Sequence, residues 1–336
     1  MEHWASFVRL FIVVTCGPFG PMDITVGICA YNEAQNIERS IRSIYAQNTR
    51  DVVVKEVIVV SSGSTDGTDD IVRSLQKEYG NITLIRQEKR EGKNSAINAY
   101  LDAKSCEIVV MLNADNVLGT EDSLWHLVKP FESDRMGMVG GHPVPTNGKE
   151  DKVGFAVNML WTMHHNLALI YPKIGELVAF RDIGTRLTVE QQSDEDIIRM
   201  ALEKAGYDCA YAPDAIVLNR GPETEEDFLK QRIRVNIGEC TMKDKFDYDI
   251  PTWNRKYLLK AAKGTIRDLG FHPFKMLYTI RLESKARSEA KRYVAEGKHD
   301  MNIWDPVGTT KRLRRRGRRP WTPPGRPSRR PRGPSS

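Results

Sequence analysis

A short apolar run in the sequence ends on residues that can bind a ligand. The segment 109–112 reads Val-Val-Met-Leu, and Asn113, Ala114 and Asp115 follow it directly. Polar groups that are buried without partners cost free energy, so a buried strand has no structural need to finish on an amide and a carboxylate. We therefore expect the end of this strand to face a ligand.

Three earlier apolar runs also end on polar residues that can take part in chemistry. The run 24–29 precedes Ala30, Tyr31, Asn32 and Glu33; the run 52–60 precedes Ser62 and Asp66; and the run 81–87 precedes Lys93. In an open parallel sheet, ligands bind beyond the carboxyl ends of the strands. The sequence thus predicts that these residues and Asp115 converge on one site.

Strand and helix patterns alternate along the first 119 residues. Strands are predicted at 24–29, 52–60, 81–87 and 107–115, where β-branched and other apolar residues dominate. An amphipathic helical pattern follows each of the first three strands. This alternation predicts an α/β fold with a mostly parallel central sheet, right-handed crossovers and flanking helices. After residue 119, long helical patterns dominate.

The positive charge of the chain is concentrated at its end. Residues 311–336 contain ten Arg and one Lys without an acid, and the whole chain carries a formal charge of +6, so the remainder is at −5. The segment is rich in Pro, Gly and Ser, and we expect it to be disordered. It is either a solvated extension or a segment attracted to an anionic membrane surface or to nucleic acid, whereas the body predicts no specific nucleic-acid binding.

The cysteines and the apolar runs bear on the compartment of the protein. Five cysteines are scattered without a CxxC pair, which favours reduced thiols in a cytosol-like compartment. No apolar run reaches the roughly 18 residues of a membrane span. We therefore predict a cytoplasmic location, with a peripheral position on the cytoplasmic membrane face as the alternative.

Four segments, taken in order, resemble one protein family. Residues 22–245 are similar to the nucleotide-sugar half of an inverting family-two glycosyltransferase through the segments VGICAYNEAQNI, VVSSGSTDGT, EGKNSAIN and VMLNADN. The resemblance implies the Rossmann-like GT-A fold and transfer of a sugar from a UDP- or GDP-linked donor. The acceptor that it implies is a glycan or a lipid-linked sugar. Motif matches of this kind require structural confirmation.

The resemblance also implies roles for the residues at the strand ends. Tyr31 and its neighbours would border the nucleoside, Asp66 would help to hold the base and ribose, and Lys93 would lie near the phosphates. The full set of residues expected around the sugar donor is Ala30, Tyr31, Asn32, Glu33, Ser62, Asp66, Lys93, Asn113, Ala114, Gln231 and Arg234.

A divalent cation, Mg²⁺ or Mn²⁺, is the cofactor that the resemblance implies. Asp115 would bind it as the last residue of the family's aspartate–any–aspartate motif. The sequence departs from the family at Asn113, which replaces the first Asp, and at Ser61 and Ser62, which replace a frequent acidic pair. One or two carboxylates with phosphate and water can hold such a cation, so we expect a site of reduced affinity.

An acidic segment at a predicted helix start offers candidates for a catalytic base. Inverting transfer requires a carboxylate that takes the proton from the attacking hydroxyl. The literal Glu-Asp match to the family favours Asp196, whereas counting back from Gly206 favours Glu195 or Asp194, and all three stay candidates. Acids at a helix start also stabilise the helix dipole, so a structural role is the alternative.

A second motif lies in the segment KQRIRV. It resembles the family's Gln-x-x-Arg-Trp motif, with Gln231 and Arg234 matching and Val235 in place of Trp. In polymer-forming members that Trp belongs to the acceptor site, so we favour a non-processive transferase for glycan or glycolipid assembly. The alternatives are a polymerising polysaccharide synthase and a nucleotide-sugar-binding module without catalysis. Arg181 and Arg232 are further candidates for contact with the diphosphate.

The sequence divides into four parts. They are an N-terminal extension at 1–21, a GT-A glycosyltransferase domain at 22–250, an amphipathic helical extension at 251–310 and the disordered tail at 311–336. In the helical extension, basic residues alternate with aromatic and aliphatic ones, as is typical of helices that lie in a membrane interface. An anionic membrane surface is therefore predicted as a partner, and packing on the catalytic domain is the alternative.

Overall fold

The computed structural model describes residues 20–188, 193–246 and 254–297, which form one eight-stranded sheet and its surrounding helices. The strands are β1 (Met22–Ala30), β2 (Val52–Ser62), β3 (Ile82–Gln87), β4 (Ile108–Asn113), β5 (Val117–Leu118), β6 (Met136–Pro145), β7 (Leu177–Arg181) and β8 (Asp208–Asn219). The helices are α1 (Ile37–Tyr45), α2 (Thr68–Tyr79), α3 (Lys93–Ala103), α4 (Ser123–Val128), α5 (Lys152–Ala168), α6 (Asp194–Lys204), α7 (Glu225–Phe246), α8 (Arg255–Leu269) and α9 (Pro273–Ala295).

The strand order confirms the predicted fold and adds two strands of reversed direction, β7 and β5. The order is β3-β2-β1-β4-β7-β6-β8-β5. β1 pairs in parallel with β2 and β4, β2 pairs in parallel with β3, and β6 pairs in parallel with β8. β7 instead runs antiparallel to both β4 and β6, and the short β5, which was not predicted, runs antiparallel to β8.

Burial on both faces explains the apolar runs of the central strands. Ile24, Val26 and Ile28 of β1 pack with α1 on one face of the sheet. Ile58 and Val60 of β2 pack with α3 and α6 on the other face. Since successive side chains of a strand point to opposite faces, a strand covered on both sides is apolar throughout. Polar residues are therefore displaced to the strand ends.

The close packing of α3 on β1 sets the position of the first residue of α3. Gly27 lies directly under the ring of the buried Tyr100, and a Cβ at Gly27 would lie 2.7 Å from that ring. The absence of a side chain at Gly27 thus lets α3 approach the sheet. Lys93, at the start of this helix, is thereby held at the carboxyl edge of β1.

The C-terminal helices pack on the catalytic part through one face. α9 lies against α7 and α5, and Leu282 joins a cluster with Ala156, Val157 and Phe228. α8 lies against α5, with Ala261 and Thr265 buried. Across the described residues, every helix is too short or too polar to cross a bilayer. The predicted tail at 311–336 and residues 1–19 lie outside the described residues.

Candidate active site

The carboxyl ends of three neighbouring strands lie side by side at one edge of the sheet. Cys29 of β1 pairs in register with Val60 of β2 and with Asn113 of β4. The residues that end these strands and the residues that follow them therefore lie at the same edge of the sheet, as the sequence predicts. They include Ala30, Tyr31, Asn32, Glu33, Ser62, Asp66, Ala114 and Asp115.

Hydrogen bonds join the loop after β1 to the loop after β2. Asn32 Oδ1 accepts from the Thr65 N–H at 2.8 Å, and Asp66 Oδ2 accepts from the Ala34 N–H at 3.0 Å. Asp66 Oδ1 also accepts from Thr68 Oγ1 at 2.5 Å. Burial raises the pKa of Asp66, but these hydrogen bonds outweigh burial and bring the pKa below its usual value. The ionised Asp66 thus fixes the shape of both loops.

The loops after β2 and β3 are joined in a similar way. Ser62 Oγ accepts from the Glu91 N–H at 2.9 Å, and the Arg90 guanidinium lies 4.2 Å from the centre of the Tyr31 ring. Gly63 has a φ of +70°, and a Cβ there would lie 2.6 Å from the Arg90 backbone nitrogen, so this turn requires glycine. Arg90, which sequence reasoning missed, therefore adds a cation beside Tyr31.

Glu176 lies at the end of β4 although it is 63 positions from Asn113 in the chain. Asn113 Nδ2 donates to Glu176 Oε2 at 2.9 Å, and Asn116 Nδ2 donates to the same oxygen at 2.8 Å. The antiparallel register pairs Leu112 with Leu177, which places Glu176 beside Asn113. Sequence reasoning missed Glu176, because no local pattern shows that β7 reverses direction against β4.

Lys93 links the strand ends to the predicted base helix. Its Nζ lies 2.7 Å from Asp194 Oδ2 and 3.6 Å from Glu195 Oε1, at the start of α6. Burial lowers the pKa of Lys93, but the two carboxylates outweigh burial and raise the pKa above its usual value. The two halves of the chain thus meet at a charged lysine, and its contact with phosphates stays a prediction.

The three acids at the start of α6 have different surroundings. Asp194 is buried against Lys93, whereas Glu195 and Asp196 are half-buried. Burial and the neighbouring Asp194 raise the pKa of Glu195. Burial raises the pKa of Asp196 to about 6, although Lys173 opposes this shift. A general base works best with a pKa near the operating pH, which suits Asp196 and Glu195.

Helix α7 carries the residues of the predicted Gln-x-x-Arg motif. Gln231 is half-buried and Arg234 is exposed, and their contacts with a sugar donor stay predictions. Arg232 instead forms a two-pronged ion pair with Glu283 of α9, at 2.7 and 2.9 Å. This guanidinium therefore holds α9 against α7, and the structure gives no support to its expected contact with the diphosphate.

Arg181 lies at the opposite edge of the sheet from Asn113. It pairs in register with Ile108 at the start of β4, and its guanidinium contacts the Glu107 carboxylate and lies 5.8 Å from the centre of the Tyr207 ring. The expectation that Arg181 reaches the diphosphate is therefore wrong. The antiparallel direction of β7 carries the end of this strand away from the site.

The residues at the end of β4 fit a divalent cation by their chemistry. Asp115 and Glu176 are carboxylates and Asn113 is an amide, all hard oxygen donors that Mg²⁺ and Mn²⁺ prefer. Within 20–188, 193–246 and 254–297, His, Cys, Asp and Glu side chains form no group of three or more that could hold a metal. A cation here would depend on one or two carboxylates together with phosphate and water.

Known proteins resemble this chain in sequence. Residues 25–188 match the family described as Glycosyl transferase family 2. The chain is 25% identical over 239 residues to the poly-beta-1,6-N-acetyl-D-glucosamine synthase of Staphylococcus aureus (strain COL), covering 66% of this chain and 56% of the relative. It is 25% identical over 219 residues to the synthase of that name from Staphylococcus epidermidis, covering 62% and 52%. The chain thus spans about half the length of these relatives.

A solved structure resembles the fold. The mannosyltransferase PcManGT from Pyrobaculum calidifontis, in complex with GDP-Man and Mn²⁺, matches with a TM-score of 0.54 at 22% identity, over 84% of this chain and 86% of that chain. This similarity confirms the expected GT-A architecture. The motifs at the aligned strand ends all lie within residues 25–188, the segment that matches the family described as Glycosyl transferase family 2.

Proposed function

We propose that the protein transfers a sugar from a UDP- or GDP-linked donor to an acceptor hydroxyl or lipid phosphate, inverts the anomeric centre and adds one sugar at a time. The observation that carries this proposal is the 2.7 Å contact between Lys93 and Asp194. It brings the loops expected to bind the sugar donor against the helix that carries the candidate base. Binding and proton transfer can therefore occur in one site.

The loops divide the binding of the sugar donor between them. The nucleoside would lie against Tyr31, in the loops whose shape Asp66 fixes. The diphosphate would lie between Lys93 and Asp115, where positive charge stabilises the leaving group. Mg²⁺ or Mn²⁺, when bound beside Asp115, supplies further neutralisation of that charge.

Acidic residues at the start of α6 carry out the proton transfer. Asp196, with Glu195 as the alternative, takes the proton of the acceptor hydroxyl. The acceptor oxygen bonds to the anomeric carbon as the bond from that carbon to the diphosphate breaks, and the nucleoside diphosphate leaves. Attack and departure occur on opposite faces of the carbon, so its configuration inverts. Asp194 holds Lys93 in place through their ion pair.

A panel of nucleotide sugars tests this function. UDP- and GDP-linked sugars are compared by thermal shift with Mg²⁺ and with Mn²⁺, and a donor at about 100 times its Kd should stabilise the protein by about 2.7 kcal/mol. NMR of the product should show an anomeric configuration opposite to that of the donor. If no nucleotide sugar raises the melting temperature and none is hydrolysed, the proposal is contradicted. A product that keeps the anomeric configuration of the donor would contradict inversion.

Product length and turnover separate the two alternative functions from this one. The relatives from Staphylococcus are named as synthases of a polymer. Val235 stands where polymer-forming members carry Trp, so we expect single additions. A ladder of products would support a polymerising synthase, whereas binding without turnover would support a module that lacks catalysis.

Helices α8 and α9 carry many basic residues, and apolar side chains on them and between them are exposed. We call these exposed apolar side chains, together with the basic residues of the two helices, the basic–apolar face. Residues 254–297 contain eleven Lys and Arg against four Asp and Glu. The apolar side chains of this face are 40% to 88% exposed, and they are Leu259, Ile266, Phe271, Phe274, Leu277 and Ile280. The helical extension therefore packs on the catalytic part of the chain and still leaves the basic–apolar face exposed.

We propose that the basic–apolar face docks on an anionic membrane at its cytoplasmic side and that the acceptor is lipid-linked. Basic amphipathic helices with aromatic residues lie in the headgroup region. Each basic residue near an anionic leaflet contributes about 1 kcal/mol, and residues 311–336 would add further charges. Charge complementarity thus favours a membrane as the occupant of this face.

Flotation with anionic liposomes tests the membrane proposal. The protein should float at low salt, sediment at high salt and bind less after deletion of 311–336. The double variant Phe274→Ser/Leu277→Ser should lose flotation, whereas Ile183→Ser, which removes a 39% exposed side chain next to β7, should not. Failure of the wild-type protein to float at low salt, or equal flotation of both variants, would contradict the proposal.

A further inference from the structure

Glu176 belongs to none of the sequence motifs, yet its carboxylate contacts the strand end that leads to Asp115. Oε2 accepts from Nδ2 of Asn113 and of Asn116. Among residues 20–188, 193–246 and 254–297, the carboxylate makes no further hydrogen bond or ion pair, and Oε1 is not sealed in the interior. Oε1 is therefore open to a ligand.

The same hydrogen bonds orient the amide of Asn113. An ionised carboxylate only accepts, so the amide must turn its NH₂ group towards Glu176. The carbonyl oxygen Oδ1 then lies on the other side of the amide, where it meets no hydrogen-bond donor within the described part of the chain. An oxygen presented in this way can bind a cation or a hydroxyl, but it brings no charge.

The backbone holds Glu176 in a conformation that side chains rarely adopt. Its φ is +65°, in the left-handed region, which is a strained conformation for a non-glycine residue. Arg199 of α6 donates to the Pro172 carbonyl, and Lys173 pairs with Glu239 of α7 at 3.3 Å. The loop before Glu176 is thus anchored to two helices, which maintain the strained position of the carboxylate.

We propose that Glu176 supplies the second negative charge of the metal–diphosphate site, in place of the carboxylate that Asn113 lacks, and that it orients the Asn113 amide. The inference rests on the proposed transfer from a nucleotide sugar. Asp115 and Glu176 together bring two carboxylates to the end of β4, the number that an aspartate–any–aspartate motif would supply. The residue directly before β7 thus supplies the charge, and it also positions the amide of Asn113.

The variant Glu176→Gln isolates the charge, because glutamine keeps an oxygen that can accept from both amides. Mn²⁺ binding is measured by EPR in the presence of GDP and, separately, of UDP, without any transfer reaction. The Mn²⁺ affinity should fall about ten- to hundred-fold, as it does when partners of metal ligands are changed. The control Glu107→Gln removes a carboxylate at the opposite edge of the sheet and should leave this affinity unchanged.

Moving the charge within the pair gives a second test. The double variant Asn113→Asp/Glu176→Gln returns the carboxylate to position 113 and should regain most of the lost Mn²⁺ affinity. Asn113→Asp alone brings two carboxylates into contact, which disfavours their ionisation together. Its melting temperature without metal should therefore fall, and Mn²⁺ with nucleotide should raise that temperature more than in the wild type.

The outcomes distinguish this inference from the proposed function. Unchanged Mn²⁺ affinity in Glu176→Gln would overturn the role of Glu176, while binding by the wild type would still support the proposed function. If the double variant does not regain Mn²⁺ affinity, the inference that the Glu176 carboxylate replaces a carboxylate at position 113 would be overturned. A wild-type protein that binds no Mn²⁺ with either nucleotide would overturn both.

Discussion

The sugar-donor side and the acceptor side of the candidate site are held together by different interactions. On the sugar-donor side, hydrogen bonds from backbone N–H groups to Asn32, Ser62 and Asp66 join adjacent loops. On the acceptor side and at its junction with the sugar-donor side, partly or fully buried ion pairs join distant helices and loops. These pairs are Lys93–Asp194, Lys173–Glu239 and Arg232–Glu283.

The difference predicts how each side responds to substitution. Loss of one hydrogen bond between loops costs about 0.5–1.5 kcal/mol, or up to about 3 when the remaining partner stays buried. Loss of one partner of a buried ion pair costs about 3–5 kcal/mol, because an uncompensated charge stays in the interior. Single charge changes should therefore damage the architecture of the acceptor side more than that of the sugar-donor side.

Asp115 should show the largest effect, on chemistry rather than on architecture. Asp115→Ala removes a carboxylate at the end of β4, and kcat/KM should fall by about a thousandfold or more, since charge stabilisation of several kcal/mol is lost. The melting temperature should change little. Asp134→Ala, at an exposed acid of the same domain, serves as the control. Retained transfer by Asp115→Ala would contradict the role of Asp115.

Asp196 should separate chemistry from binding on the acceptor side. Asp196→Asn should lower the single-turnover rate by about 10²–10⁴-fold without changing the Kd of the sugar donor, because only proton transfer is lost. Asp194→Asn should instead weaken binding of the sugar donor, since Lys93 loses its partner. A larger rate effect in Glu195→Gln would move the base to that residue, and normal rates in all three variants would place it elsewhere.

Glu283 tests the stability of the acceptor side directly. Burial raises its pKa, but Arg232 outweighs burial and lowers the pKa from 4.5 to about 2, which corresponds to roughly 3 kcal/mol of stability at neutral pH. Glu283→Gln should lose about that amount in urea unfolding at pH 7. Because the folded pKa is the lower one, this contribution is complete above the unfolded value and disappears as the pH falls towards 2.

An exposed ion pair gives the matched control for Glu283. Glu78 pairs with Arg42 at 2.7 Å on the surface, and Glu78→Gln removes the same charge there. Exposed pairs contribute little, because water screens them and long side chains lose freedom. Equal losses of stability in the two variants would contradict the proposed contrast between buried and exposed pairs.

The pH dependence of the rate should show the smallest change. Asp196 must be deprotonated to accept a proton, and its pKa is about 6, so kcat should rise with pH up to about 6 and level off above it. Below that value the rate should fall by about tenfold per pH unit, whereas Asp196→Asn should lose this limb of the profile. A wild-type rate that stays constant from about pH 5 to 7 would argue against Asp196 as the base.

The sequence by itself determined the first half of the fold and most of the candidate residues on the sugar-donor side. Alternating strand and helix patterns predict parallel strands, and the loops after such strands must meet at one edge. Asp66, Lys93 and Asp115 could be predicted in this way because each lies in the loop after a strand or begins the next helix. The signal is local, so no knowledge of distant contacts was needed.

The tertiary structure alone decided which side chains from distant parts of the chain lie beside these sugar-donor residues. The antiparallel direction of β7 brings Glu176 to Asn113 and removes Arg181 from the site, although Glu176 directly precedes this short strand and Arg181 ends it. The packing of α6 likewise pairs Asp194 with Lys93, and this ion pair distinguishes Asp194 from Asp196. Strand direction and helix packing depend on the burial of the whole sheet and on long-range pairing, and a single segment of sequence contains no record of either.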